Sequence, residues 1–132
     1  MKKWNFGIVG AGSIADFHAK AVQSLPNADM TGICGTNPVK VKTLAEKYKC
    51  KIFKSTTAML SDPEIDIITI ATPSGAHMEP AIEAAKYGKH VICEKPLEIT
   101  LERIDKMIEA HNHSGTRLGG IFNYRFNEVV RL

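Results

Sequence analysis

The sequence predicts an α/β domain in which a doubly wound, mainly parallel sheet of six strands is covered by helices on both faces. Short apolar runs alternate with segments of helical periodicity along the chain, which is typical of repeated βαβ units. A glycine-rich turn joins the first apolar run to the first helical segment. The length of 132 residues, with 44% hydrophobic and 23% charged residues, fits one compact domain.

In the first half of the chain, apolar runs predict strands at residues 6–9, 30–34 and 51–53. Ser13 begins the first helix, and the pattern ends at Pro26. The apolar residues at helical spacing, which predict the inward face of this helix, are Ile14, Phe17, Ala21, Val22 and Leu25.

The second and third helices are marked by their first residues. Asn37 is a suitable N-cap, and Pro38 is tolerated at the first helical position because its missing N–H has no partner there. The residues predicted to face inward are Val41, Leu44, Ala45 and Tyr48. Ser55 caps a short third helix that ends at Leu60.

The second half of the chain continues the alternation. Residues 65–70 are rich in β-branched side chains and predict a buried strand. A helix follows over residues 76–87 and is closed by Gly88. Strands are then predicted at residues 90–93 and 117–122.

A long helix lies between these last two strands. Thr100 caps it and Gly115 follows its last turn. Its predicted shared face is Leu101, Ile104, Ile108 and His111. We assign residues 1–126 to one domain and residues 127–132 to the start of a further helix, and we expect that helix to lead into a C-terminal domain outside this chain.

Composition excludes several classes of protein. The net charge is only +3, and no apolar stretch approaches the roughly 20 residues that span a bilayer. We therefore predict no membrane partner. The three cysteines form no C-x-x-C pair and are odd in number, which argues against a disulfide scaffold and against a metal site. This usage is typical of a cytoplasmic protein.

The glycine-rich turn predicts a phosphate-binding loop of the Rossmann type. Its sequence is Gly10-Ala11-Gly12-Ser13-Ile14-Ala15, which has the G-x-G-x-x-G/A pattern. The first glycine permits the sharp turn, the second lets a diphosphate approach the backbone, and the small last residue lets the helix lie against the sheet. The alternative is a plain strand–helix turn that happens to contain two glycines. The position after the first strand favours dinucleotide binding.

The choice between NAD and NADP depends on the end of the second strand. An acidic residue there holds the ribose hydroxyls of NAD, but this chain has Gly35-Thr36-Asn37. Several lysines follow, so we expect Thr36, Asn37 and Lys40 to receive the 2′-phosphate of NADP, and we favour NADP over NAD. The alternative is a solvated basic helix face. Without an aromatic platform, this cluster predicts no nucleic-acid partner.

Lys95 is the candidate catalytic residue. It follows the fifth strand, and ligands of open α/β sheets bind at the carboxyl edge of the strands. A lysine amine in a crevice can donate a proton to a carbonyl oxygen or remove one from a hydroxyl. An exposed turn lysine is the alternative, and the spacing alone favours that alternative.

Four segments together resemble the N-terminal domain of the Gfo/Idh/MocA oxidoreductase family, named after glucose–fructose oxidoreductase, inositol dehydrogenase and a rhizopine-catabolism protein. These segments are residues 7–12, Ala71-Thr72-Pro73 with His77, residues 88–91 leading into Glu94-Lys95-Pro96, and residues 123–126. The resemblance covers essentially the whole chain, and its most specific part is the approach to Glu94-Lys95-Pro96.

The resemblance implies roles for individual residues. Lys95 would be the catalytic lysine beside the nicotinamide, with Glu94 and Pro96 shaping the pocket and a cis peptide bond before the proline. The segment Ala71-Thr72-Pro73 would lie along the cofactor, and His77 would start the next helix at the pocket wall. Arg125 would lie near the domain junction.

The family also implies an activity, which is hydride transfer between the nicotinamide and a secondary alcohol or carbonyl of a sugar, cyclitol or related molecule. Family members continue into a second domain that supplies the substrate pocket and most of the oligomer interface. We therefore expect this chain to bind a dinucleotide without turning over substrate, and to form a homo-oligomer only together with that domain. The alternatives are an NAD(P)-sensing regulatory module and an NAD-dependent glycosidase.

Other polar residues are interpreted as structural. His18 faces inward from the first helix and predicts a packed, hydrogen-bonded residue. His111 and His113 point apart on a helix, so a position favoured by the helix dipole explains them better than a metal pair. Cys34 and Cys93 end apolar strands and behave as small hydrophobic residues.

Overall fold

Six parallel strands form the sheet in the computed structural model, which describes residues 1–129. In chain order the strands are β1 (Trp4–Val9), β2 (Ala28–Cys34), β3 (Lys51–Ile52), β4 (Ile67–Ile70), β5 (His90–Cys93) and β6 (Leu118–Gly120). Their spatial order is β3-β2-β1-β4-β5-β6, and every neighbouring pair is parallel. The predicted doubly wound α/β fold is therefore confirmed.

Helices connect the parallel strands. They are α1 (Ser13–Gln23), α2 (Pro38–Tyr48), α3 (Thr56–Leu60), α4 (Met78–Lys86) and α5 (Leu101–Ser114). The side chains of Asn37, Ser55 and Thr100 accept hydrogen bonds from backbone N–H groups three residues later, at 3.0–3.2 Å. These three predicted N-caps are confirmed.

The core has one cluster on each face of the sheet. Successive residues of β1 alternate between the two clusters, as the pleat of a strand requires. Phe6 and Ile8 pack under α1 and α2, whereas Val9 packs with residues of α3, α4 and α5. Both faces of the sheet are therefore buried at β1, which lies at the centre of the fold.

The inward face of α1 differs from the prediction. Ala15, Ala19 and Val22 are buried, while Phe17 is 69% exposed and Ile14 is 42% exposed. The predicted residues Ala21 and Leu25 are exposed as well. Small side chains face the sheet because α1 lies close to β1 and β2. The prediction of the inward face was wrong because larger apolar residues also recur at helical spacing on the neighbouring face of the helix.

The inward face of α5 is also shifted. Met107 and His111 are buried, but Leu101 is 79% exposed and Ile108 is 42% exposed. The predicted helix over 76–87 is divided into a 3₁₀ turn (Ser74–Ala76) and α4, whose first turn contains Pro80. Proline is accepted there because the N–H groups of a first turn have no partner within the helix.

The end of the chain is irregular where the structure describes it. Residues Asn123–Phe126 form a 3₁₀ turn after β6, and residues 127–129 form a bend and turn. The rest of the helix predicted for residues 127–132 lies outside the described residues. Among the helices of residues 1–129, none has the length and apolar character needed to cross a bilayer.

A buried lysine lies at the amino end of the sheet, directly before β5. Lys89 precedes β5 and is 8% exposed. Its amine donates hydrogen bonds to the carbonyl oxygen of Asp62 at 3.0 Å and to that of Ile65 at 2.6 Å. These carbonyl groups belong to the connection between α3 and β4, so Lys89 fixes the point at which β4 enters the sheet.

We expect Lys89→Met to lower the free energy of unfolding by about 1–3 kcal/mol, because the methionine keeps an apolar stem but leaves the carbonyl oxygen of Ile65 without a donor. The carbonyl oxygen of Asp62 keeps the backbone N–H of Ile65 as a donor, at 3.2 Å. Urea denaturation of the purified chain measures this change. Lys86→Met, at an exposed position in the last turn of α4, is the matched control and should unfold as the unsubstituted chain does. Equal midpoints for both variants would contradict the role of the buried amine.

Candidate functional site

The carboxyl ends of β1, β2 and β4 surround a cavity of about 1080 Å³. Ligands of open α/β sheets bind at this edge, where the strand order reverses between β1 and β4. The predicted site residues that line the cavity are Gly10, Ala11, Gly12, Ser13, Ile14, Thr36, Asn37, Lys40, Ala71, Thr72 and Pro73. The structure thus brings together three segments that are far apart in the sequence.

Gly10 makes the turn out of β1 and cannot carry a side chain. Its φ is +110°, a conformation that residues with a Cβ rarely adopt. A Cβ at this position would lie 2.6 Å from the carbonyl oxygen of Ala71. The turn is therefore pressed against the residue that follows β4, and the two segments form one wall of the cavity.

Gly12 is the N-cap of α1, and the space in front of it is open. No side chain of the described residues caps this helix. Around the position that a Cβ would take, no heavy atom of the chain lies within 4 Å apart from the immediate neighbours. The first N–H groups of the helix have no partner within the helix and favour an anion. This cradle fits a diphosphate group.

The other end of the cavity is formed by residues after β2. Gly35 lies there, and a Cβ on it would be 3.1 Å from Val41 Cγ2. The side chain of Asn37 caps α2, which commits its oxygen to the N–H of Lys40. Lys54, at the end of β3, also lines the cavity. Lys54 is not among the site residues that the sequence predicted, although its place just after a predicted strand was a usable signal.

The segment Glu94-Lys95-Pro96 lies beside this cavity and not in its lining. Glu94 N donates to the carbonyl oxygen of Ile70 at 3.1 Å, which continues the pairing of β5 with β4 by one residue. Lys95 is exposed, and the Lys95–Pro96 peptide bond is cis. The segment therefore lies on the same sheet edge as the glycine turn, one strand away from Ala71.

His18 connects α1 to this segment. Its Nε2 lies 2.8 Å from Glu94 Oε1, and its Nδ1 contacts the hydroxyl of Thr69 on β4. The other carboxylate oxygen, Glu94 Oε2, accepts the N–H of Lys95 at 3.1 Å. The structure agrees that His18 is an inward, hydrogen-bonded residue, and it identifies the partner as the glutamate next to Lys95.

His77 starts α4, as the resemblance implied, but its side chain does not line the cavity. Its ring is buried, and Nε2 lies 2.8 Å from the carbonyl oxygen of Thr72. Nδ1 lies 2.9 Å from the carbonyl oxygen of Pro96 and 3.1 Å from that of Leu97. Since carbonyl oxygens only accept hydrogen bonds, a ring nitrogen is the donor in each of these bonds, and a neutral ring has one N–H to donate. The His77 side chain thus connects the loop after β4, at Thr72, to the loop after β5, at Pro96 and Leu97.

A buried carboxylate supports His77 from the other side. Glu98 Oε2 accepts hydrogen bonds from the backbone N–H of His77 at 3.1 Å and of Met78 at 2.9 Å, at the start of α4. Burial acts to raise the pKa of Glu98, but the N–H groups of Ile99 and Met78 and the Arg103 guanidinium outweigh burial and hold the pKa below its usual value. The carboxylate is therefore an anion that caps α4.

Two of the residues considered in the sequence, Arg125 and His111, lie away from the cavity. Arg125 is exposed in the 3₁₀ turn after β6, with its guanidinium 4.7 Å from the centre of the Phe126 ring. His111 is buried, its Nε2 lies 2.9 Å from the carbonyl oxygen of Ala81, and burial lowers its pKa. The burial of His111 agrees with its predicted place on the inward face of the helix, but its hydrogen bonds in the core, and not the helix dipole, account for it.

Neither the buried cysteines Cys34 and Cys93 nor a cluster of metal-ligating side chains forms a reactive site in the described residues. Burial raises the pKa of Cys34, and it raises the pKa of Cys93 to about 12, so both thiols stay protonated at neutral pH. Across residues 1–129, no group of three or more histidine, cysteine, aspartate or glutamate side chains could hold a metal ion.

Comparisons with known proteins identify relatives of the chain. A family model described as "Oxidoreductase family, NAD-binding Rossmann fold", that of Gfo/Idh/MocA, matches residues 4–121. The chain is 33% identical over 132 residues to glucose-6-phosphate 3-dehydrogenase of Bacillus subtilis, covering 100% of this chain and 37% of that protein. It is 31% identical over 122 residues to myo-inositol 2-dehydrogenase of Thermotoga maritima, covering 92% of this chain and 36% of that protein.

A solved structure shows the same similarity. The WlbA dehydrogenase of Bordetella pertussis, in complex with NADH and UDP-GlcNAcA, is 34% identical and superposes with a TM-score of 0.94. The match covers 99% of this chain and 40% of that one. The chain thus spans well under half the length of the proteins it resembles.

Proposed function

Because this chain belongs to the Gfo/Idh/MocA oxidoreductase family, with its NAD-binding Rossmann fold, we propose that it is the nucleotide-binding part of an NAD(P)-dependent dehydrogenase or reductase. The observation that carries the proposal is the open N-terminus of α1 at Gly12, in a cavity that the glycine turn shares with the segment after β4. This arrangement provides unpaired N–H groups and space for a diphosphate in one place.

The chain's own residues would divide the work as follows. The N–H groups at the start of α1 bind the diphosphate, and Ala71-Thr72-Pro73 lies along the rest of the dinucleotide. A bound nicotinamide supplies hydride transfer at its C4 carbon. Lys95 removes the proton from the substrate hydroxyl during oxidation, or donates it to the carbonyl oxygen during reduction.

We propose a sugar, cyclitol or related small molecule as the substrate, reacting at a secondary alcohol or carbonyl group. The relatives support this class, since their names specify glucose 6-phosphate and myo-inositol, and the WlbA structure holds a nucleotide sugar. The substrate contacts, the oligomer interface and turnover itself are assigned to further polypeptide of the kind that these relatives contain. A cytoplasmic location agrees with three unpaired cysteines in the described residues.

The first test is dinucleotide binding by the 132-residue chain, measured by titration of NADH and of NADPH fluorescence. We expect binding, and we expect Gly12→Ala to weaken it by about tenfold or more, because a methyl group would enter the diphosphate cradle. The urea midpoint of this variant should not change, since no atom of the chain lies within 4 Å of the added carbon.

Gly119→Ala is the matched control for the cradle. Its added carbon would meet only Val91 O, at an ordinary contact distance of 3.9 Å, and it lies on β6 away from the cavity. It should bind NADH as the unsubstituted chain does. Absence of binding by the chain, or equal affinities of the two variants, would refute the proposed cofactor site.

We further propose that the cofactor is NADP in preference to NAD. The residue that would repel a 2′-phosphate is missing at Gly35, and two lysines, Lys40 and Lys54, line the same end of the cavity. An anionic phosphate gains from nearby amines, although the gain is modest where water screens them.

We expect Lys40→Gln to weaken NADP binding by about threefold to fivefold and to leave NAD binding unchanged, as measured by calorimetry at low salt. Lys42→Gln, on the same helix but outside this cavity, is the control and should change neither affinity. A tenfold or greater preference of the chain for NAD would show that the assignment to NADP is wrong.

The role of Lys95 needs a protein of the relatives' full length, assayed with myo-inositol and glucose 6-phosphate as probes. Lys95→Met should lower kcat roughly 100- to 10,000-fold, the contribution usual for a general acid–base group. NADH affinity should change by less than about twofold, since the lysine acts on the substrate proton. Parallel losses of affinity and turnover would deny the lysine its chemical role, and high activity of the 132-residue chain alone would contradict our assignment of the substrate site.

A further inference from the structure

We infer that His18 is a positioning residue, which holds the Lys95 segment in a fixed place relative to the phosphate-binding helix. Its hydrogen bonds are a property of the structure, whereas their use in catalysis rests on the proposed function of Lys95. The His18 side chain is only 9% exposed, yet both ring nitrogens face polar atoms.

The hydrogen that matters is on Nε2. A carboxylate only accepts hydrogen bonds, so the nitrogen that faces Glu94 Oε1 at 2.8 Å must be the donor. The Thr69 hydroxyl can either donate to Nδ1 or accept from it, so the contact with Glu94 is the same for a neutral and for a charged ring. Thr69 is buried on β4 and sets the direction in which the ring points.

Glu94 connects the His18 ring to the backbone of Lys95 through its two carboxylate oxygens. Its carboxylate lies between the His18 ring and the backbone N–H of Lys95, with one oxygen used on each side. The carboxylate is only 15% exposed, so water offers little replacement for a lost partner. A hydrogen bond to a charged group is worth more than one between neutral groups, and its loss leaves the carboxylate free to rotate away from the Lys95 N–H.

The geometry gives α1 two tasks. Its first turn forms the diphosphate cradle at Gly12, and His18 lies on the same rigid helix one to two turns later. One helix therefore fixes the distance between the phosphate end of the site and the backbone of the proton-transfer lysine. Packing alone does not require the hydrogen bond that His18 Nε2 donates to Glu94, the residue next to Lys95.

Amide hydrogen exchange of the 132-residue chain, followed residue by residue by NMR without cofactor, tests the inference. We expect His18→Ala to speed exchange at the Lys95 amide by about tenfold or more, since its acceptor is no longer held. Exchange in α2 should stay the same. His18→Gln, which can place an N–H close to the position of Nε2, should restore slow exchange at Lys95.

The control is His113→Ala, an exposed histidine in the last turn of α5, which should leave the Lys95 amide unchanged. Unchanged exchange at Lys95 in His18→Ala would overturn the inference. Faster exchange throughout the sheet, or no restoration by His18→Gln, would also overturn it, because the histidine would then act only by packing.

A parallel NADH titration of the same variants separates this inference from the proposed function. We expect His18→Ala to bind NADH within about twofold of the unsubstituted chain, because the diphosphate cradle is intact. Loss of NADH binding in His18→Ala alone would overturn the inference, since His18 would then be needed for the cradle itself. Failure of the unsubstituted chain to bind either NADH or NADPH would refute the cofactor assignment, while the exchange rates would still decide whether His18 holds the Lys95 segment.

Discussion

The close approach of β1 and β4 at their carboxyl ends is the constraint on which the site depends. Gly10 is held so near the carbonyl group of Ala71 that no side chain can stand between them. The chain turns towards β2 after β1 and towards β5 after β4, so the helices that follow lie on opposite faces of the sheet. A crevice opens where the two helices diverge, and its two walls are the glycine turn and the segment after β4.

The loops of this edge are held by the chain's own polar groups. His77 joins the carbonyl oxygen of Thr72 to those of Pro96 and Leu97, and Glu98 caps α4 with a carboxylate that Arg103 also contacts at 3.3 Å. The side chains of His77 and Glu98 are buried and that of Arg103 is half-buried, so the loss of a partner would be costly. The loops are thus arranged before any ligand binds, which lowers the ordering cost of binding.

Local signals in the sequence predicted most of the fold, and long-range contacts explain what they missed. Asn37, Ser55 and Thr100 act within one helical turn, so residue type and spacing were sufficient. The partner of His18 lies 76 residues away at Glu94, and those of His77 lie about 20 residues away. The sequence could indicate that an inward histidine needs a partner, but only the folded sheet identifies which one. The α1 stripe failed for a related reason, since the closeness of the sheet selected alanines over Ile14 and Phe17.

The exposure of Lys95 explains why dinucleotide binding and turnover should be separable. Proton transfer in step with hydride transfer requires a dry, closed site, because water competes for the donor and weakens every charge interaction. In the described residues Lys95 is exposed. The domain holds the backbone of the lysine in place through Glu94, but it supplies no enclosure for the amine. Under the proposed function, dinucleotide binding is therefore assigned to this chain, and the exclusion of water is assigned to further polypeptide of the kind that the relatives contain.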